Sequence, residues 1–196
     1  MTAQPHDVID ERSSPPLRAR IGQLLAKADD AAFAVGRIRL GVLDLTDHEL
    51  ATVQRCRVLL GQLDASTLLD AADTGARSTA SLAPLLRFAA SGRLEVRSAG
   101  LAAWSPDFAV VHAGGRRVGL VGAIYFGSPE LVTGPAFTIP VLGDDATALL
   151  RTRFDESWAR AHDVLPAIRQ VLERAHELEG LARGRGVGLD PGPALR

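Results

Sequence analysis

Residues 104–123 read WSPDFAVVHAGGRRVGLVGA. FAVVHA (108–113) and RVGLVGA (117–123) are short apolar runs rich in β-branched residues, and the Gly114-Gly115 pair between them suits a tight hairpin turn. The spacing predicts two antiparallel strands. The polar residues around them raise a chemical question: Ser105 and Asp107 precede the first strand, and His112 stands near its end.

Further strand candidates flank the hairpin. LEVRSAG begins at Leu94, AFTIPVL follows from Ala136, and CRVLLG (56–61) is a compact apolar run fit for a strand buried on both faces. AFAVGRIRLGVL is strand-like with a break at Gly36. Helical signals separate the early strands. LRARIGQLLAKA carries apolar residues at Leu17, Ile21, Leu24 and Leu25, one face of a helix. Thr46 and Glu49 have capping-box spacing and open a short helix to about Gln54. Asp64 caps DASTLLDAAD, TGARSTAS reads as a loop, and LAPLLRFAASG is a helix closed by Gly92. Asp144 or Asp145 caps a helix through ATALLRTRFDESWARAHD, and a second amphipathic helix runs from about Val164 to Leu181. Early strands separated by helices, followed by consecutive strands, give an α/β domain: a mixed β-sheet flanked by helices. The expected divisions are a disordered N-terminal arm at 1–16, the α/β domain at 17–162, an extra C-terminal helix at 163–183 and a flexible tail at 184–196.

Composition narrows the function classes. The chain has 196 residues, 46% of them hydrophobic, and a net charge of −1, so no global charge favours a polyanionic partner. No apolar run reaches the roughly 20 residues of a membrane span, and the acidic, proline-bearing start is not a signal peptide. A cytoplasmic protein without a membrane partner is expected. The single cysteine, Cys56, allows no internal disulfide and reads as a buried structural thiol. His48, His162 and His176 have no metal-ligand spacing, so neither metal nor cofactor is expected. Lys27 is the only lysine among 22 basic residues. Arg37 and Arg39 on the first strand, and Arg116 and Arg117 at the hairpin turn, are candidate anion-binding residues. No aromatic residue interleaves with them, which disfavours a single-strand stacking platform.

The order of elements resembles one half-unit of the phospholipase D-like superfamily over roughly residues 17–162. The resemblance rests on the LEVR-type strand, the hairpin ending in a G-A pair, and the closing F-D-E-S-W helix. In that family an H-x-K-x4-D motif follows the LEVR-type strand, and a G-S pair with an asparagine shortly after it lies on the next strand. Mapped onto this chain, the motif histidine falls on Ser105, its lysine on Asp107 and its aspartate on His112. The G-S pair falls on Gly122 and Ala123, and the asparagine on Tyr125. The family's histidine attacks phosphorus, while lysine and asparagine stabilise the charge on the nonbridging oxygens. A carboxylate at Asp107 repels a phosphate where a cation should attract it. The resemblance therefore implies a scaffold without catalytic residues, pairing as a homodimer because the family's half-units usually pair about a two-fold axis. Such a module would bind protein or nucleic acid. The alternative is a sensor domain in which Ser105, Asp107, His112 and Tyr125 line the vacated pocket and hold a sugar or phosphorylated metabolite. An active phosphodiesterase using unfamiliar residues ranks last.

Overall fold

The computed structural model describes residues 9–10, 17–36, 45–61, 83–100, 107–122, 124, 137–141 and 143–185. They form a mixed sheet with helices on both faces. In chain order the elements are β1 (Ile9–Asp10), α1 (Leu17–Leu25), β2 (Ala28–Val35), α2 (Asp47–Leu50), β3 (Arg55–Leu60), α3 (Ala83–Ala90) and β4 (Leu94–Ser98). There follow β5 (Phe108–Ala113), β6 (Arg116–Gly122), β7 (Phe137–Val141), α4 (Asp144–Trp158), β8 (His162–Asp163) and α5 (Leu165–Arg185). The sheet order is β1-β7-β6-β5-β2-β3-β4-β8. β2, β3 and β4 are parallel, and every other neighbouring pair is antiparallel.

The hairpin forms as expected. Ala113 pairs with Arg116, and Gly114 and Gly115 take φ of 58° and 76°, the left-handed values a two-residue hairpin turn needs. β2 and β3 sit at the centre, and from Ala31 and Cys56 onward every residue of each is buried. Burial pushes the Cys56 thiol up to about 12, which keeps it an inert structural group.

The two faces of the sheet are unequal. One carries α1, α2, α3 and the start of α5, whose Ile21, Leu25, Leu50, Leu85, Phe88, Ile168 and Leu172 join Phe33, Val35, Val58, Leu60 and Val96 in the main core. The C-terminal helix thus packs on its own domain through Ile168 and Leu172. On the other face α4 sets Phe154 and Trp158 against Ala32, Ala34, Leu59 and Phe108. Gly119 of β6 lets α4 come close: a Cβ there would lie 3.0 Å from Val141 Cβ and 3.1 Å from Leu150 Cδ1. Gly119→Val is expected to cost about 1–3 kcal/mol by overpacking, read from chemical denaturation.

α1 and α2 are joined by a bidentate ion pair, Arg18 Nη1 and Nη2 to Glu49 Oε1 and Oε2 at 2.7 and 2.9 Å. Glu49 also completes the predicted capping box with Thr46. Burial raises the Glu49 carboxyl, but Arg18 and the Thr46 amide outweigh it and hold the group below 4.5. A depressed carboxylate stabilises the fold above its unfolded value, and the contribution fades as pH falls through the folded one. Glu49→Gln should therefore lower the melting temperature at neutral pH and shrink the difference from wild type under acid, as melting scans across pH will show.

Several boundaries differ from expectation. Neither Asp144 nor Asp145 caps α4. Gly143 does, at φ 101°, and the two aspartates fill the first turn, where they favour the helix dipole. α4 stops at Trp158 rather than running to Asp163, because His162 and Asp163 leave to pair with β4. Asp163 Oδ1 then accepts the Leu165 amide at 2.9 Å, and Pro166 sits in the first turn of α5. α5 reaches Arg185, inside the expected tail. Within the expected arm, Ile9 and Asp10 pair with Thr138 and Phe137, a backbone ladder that needs no apolar pattern in the arm. The expected helix after Asp64 and the loop TGARSTAS lie outside the described residues.

Candidate functional site

Asp107 is the best-defined of the motif positions. It precedes β5 at the edge of the sheet where β2 ends and β6 finishes. Its Oδ1 accepts the Gly36 amide at 2.7 Å, and the Ile124 amide also reaches the carboxylate. Its backbone carbonyl accepts the Gly122 amide at 2.9 Å. One residue thus ties together the ends of three strands. Burial raises the Asp107 carboxyl above the usual range, against the pull of the two amides. Gly36 leaves the ladder to meet it, which explains the break predicted in the first strand. Gly122 has φ 136°, a backbone conformation that a side chain would strain, so this glycine is required by the chain path.

His112 lies five residues along β5, so a strand rise of about 3.3 Å per residue puts it about 16 Å from Asp107. Its Nδ1 is 2.7 Å from Asp29 Oδ1, and this hydrogen bond holds the Asp29 carboxyl below its ordinary value. Arg116 and Arg117 continue from this end, exposed at the hairpin tip. Among the described residues Asp107 and Gly122 lie at one end of the sheet, and His112, Arg116 and Arg117 toward the other. The separation of Asp107 and His112 follows from the rise of an extended strand. Ser105, Ala123, Tyr125, Arg37 and Arg39 lie outside the described residues.

A polar network missed in the sequence crosses the α4 face. Arg57 of β3 is 6% exposed at its side chain, and its Nη1 donates to Asp155 Oδ1 at 3.0 Å. Its guanidinium lies 5.1 Å from the Phe154 ring centroid and 5.7 Å from that of Trp158, and Arg97 covers Trp158 at 4.8 Å. Arg151 bridges Asp155 at 3.1 Å and Asp30 at 2.5 Å. The F-x-x-x-W spacing on α4 is thus the platform for a buried arginine. The signal was available: an arginine inside a strand buried on both faces must find a partner. Among the described residues no group of histidine, cysteine and carboxylate side chains could hold a metal ion, and no helix is long and apolar enough to cross a membrane.

No family model matches the chain, and no curated protein matches it. Solved structures do. Nuc from Salmonella typhimurium, a phospholipase D family member, aligns with a TM-score of 0.51 at 11% identity, covering 81% of this chain and 97% of that one. TrmBL2, an archaeal chromatin protein with a novel mode of DNA binding, aligns with a TM-score of 0.49 at 13% identity over 84% of this chain. The chain spans 55% of the length of TrmBL2. The likeness to Nuc shows a phospholipase D-like α/β fold.

Proposed function

We propose that the chain is a phospholipase D-like half-unit without phosphodiesterase chemistry, working as a homodimeric binding or scaffold module for nucleic acid or protein. Asp107 carries this reading. It stands where the resemblance places a phosphate-binding lysine, and its carboxylate is committed to the amides of Gly36 and Ile124. A group so placed fastens strand ends and repels a phosphate. Loss of a single oxyanion donor costs about 3–4 kcal/mol of transition-state stabilisation, and here the nucleophile is absent as well. The chain has no lysine to substitute. Lys27 precedes β2 at the far end of the sheet, about 25 Å from Asp107 along an eight-residue strand.

Hydrolysis of bis-p-nitrophenyl phosphate tests the reading. The expected rate equals the buffer blank for wild type and for Asp107→Ala alike. Turnover that disappears in Asp107→Ala would restore the enzyme reading. Sedimentation tests the assembly: a species of twice the chain mass is expected, and a monomer at every concentration would remove the dimer.

A further inference from the structure

Lys27, Arg116 and Arg117 gather at the end of the sheet opposite Asp107. Lys27 closes the turn from α1 into β2, whose first residue, Ala28, pairs with Ala113 of β5. Ala113 pairs in turn with Arg116 of β6. The backbones at Lys27 and Arg116 are thus separated by two strand spacings, about 10 Å, with Arg117 beside Arg116. All three are exposed. Cations elsewhere are held: Arg55 by Glu95, Arg57 by Asp155, Arg87 by Asp47 and Arg151 by Asp30. Among the described residues the side chains of Lys27, Arg116 and Arg117 form no ion pair or hydrogen bond, a state they share with Arg153 on α4. Of the carboxylates at this end, Asp29 is engaged by His112 and Asp30 by Arg151, while Asp144 and Asp145 open α4 just past Val141, the partner of Gly119, and are exposed. A chain with a net charge of −1 thus gathers three exposed cations at one end of its sheet.

We infer that this end is a docking surface for the phosphate backbone of a nucleic-acid duplex. The inference deepens the nucleic-acid branch of the function proposed above and rests on it. A duplex carries one negative charge per roughly 1.7 Å of axis, so cations spread over about 10 Å each meet phosphate without a fixed register. Guanidinium forks at Arg116 and Arg117 match phosphate oxygens. Gly114 and Gly115 put no side chain between the tip and its partner. The absence of aromatic residues at this tip favours a duplex over single strands, which need stacking platforms. Contacts of this kind position without reading sequence.

The test uses the full chain and a short mixed-sequence DNA duplex, with anisotropy followed across salt concentration. Three phosphate contacts from one chain give a log–log slope of about −2.7, hence about a 40-fold loss of affinity between 50 and 200 mM salt. In the Arg116→Ala, Arg117→Ala double variant the slope falls to about −0.9 and the loss to about 4-fold. The single lysine supplies an independent readout. Acetylation of Lys27, followed by mass spectrometry of its peptide, should be suppressed by duplex and restored by salt. An unchanged salt slope in the double variant, with duplex still bound, would overturn this surface while leaving a nucleic-acid module in place. Wild-type protein that ignores the duplex and binds phosphatidylserine vesicles would overturn the choice of partner. Loss of catalysis is read separately in the hydrolysis assay.

Discussion

Phe154→Ala is expected to cost about 3–5 kcal/mol, among the largest effects of any single truncation in this chain. Phe154 is fully buried, and it stacks on Trp158 with ring centroids 5.4 Å apart. The cluster around it is small, and its sheet side is built from Ala32, Ala34, Leu59 and Phe108. Two alanines give a cavity little to collapse with, so the cost belongs toward the upper end of that range. The same substitution strips the ring from beneath the Arg57 guanidinium. In a domain of this size 1 kcal/mol moves the melting temperature by about 2–4 °C, so a drop of about 6–20 °C is expected. Leu149→Ala is the control: on the same helix but 60% exposed, it should stay within about 0.5 kcal/mol of wild type. A Phe154→Ala protein as stable as this control would mean that α4 is not anchored through its aromatic pair.

The contrast between the two faces also explains what was legible in the sequence. The main core is written in patterns that local physics enforces. Ile21 and Leu25 repeat along one side of α1, CRVLLG is apolar but for Arg57 because β3 is covered on both faces, and Gly114-Gly115 supplies the positive φ that a two-residue hairpin turn needs. The capping box at Thr46 and Glu49 is equally local. What failed was set by partners distant in the chain. Asp107 finds Gly36 across 71 residues, and nothing in WSPD announces that its carboxylate fastens strand ends. The two-residue strands β1 and β8 arise where an edge accepts a short ladder, with no side-chain period to mark them. At α4 a left-handed glycine outcompeted two aspartates for the cap position. Of the motif positions that the resemblance grouped, Asp107 and His112 stand five residues apart on an extended strand, a separation that the order of residues alone does not display. Arg57 was hidden inside an apolar run and became interpretable only with Asp155, 98 residues later.

That pair yields the second large effect, and it is asymmetric. Asp155→Ala is expected to cost about 2–4 kcal/mol, because it leaves the Arg57 guanidinium buried without its carboxylate. Asp155 itself is half exposed, at 48%, so the figure sits below that for a fully enclosed pair. Arg151 would lose one of its two carboxylates and keep Asp30. Arg57→Met should behave differently. The Nε and Nη2 of Arg57 are buried without a hydrogen-bond partner, so replacing the side chain removes two unsatisfied donors along with the charge. Methionine is unbranched and packs well against Phe154 and Trp158, and Asp155 retains Arg151 and solvent. The expected change is within about 1 kcal/mol of wild type, in either direction. Adding Arg57→Met to Asp155→Ala should recover most of the loss, since the second substitution deletes the charge that the first one stranded. Denaturant unfolding of the four proteins measures this as a double-mutant cycle. Equal costs for the two single variants would show that Arg57 is held mainly by its aromatic platform, and the ion pair would then contribute little to fastening α4 to the sheet.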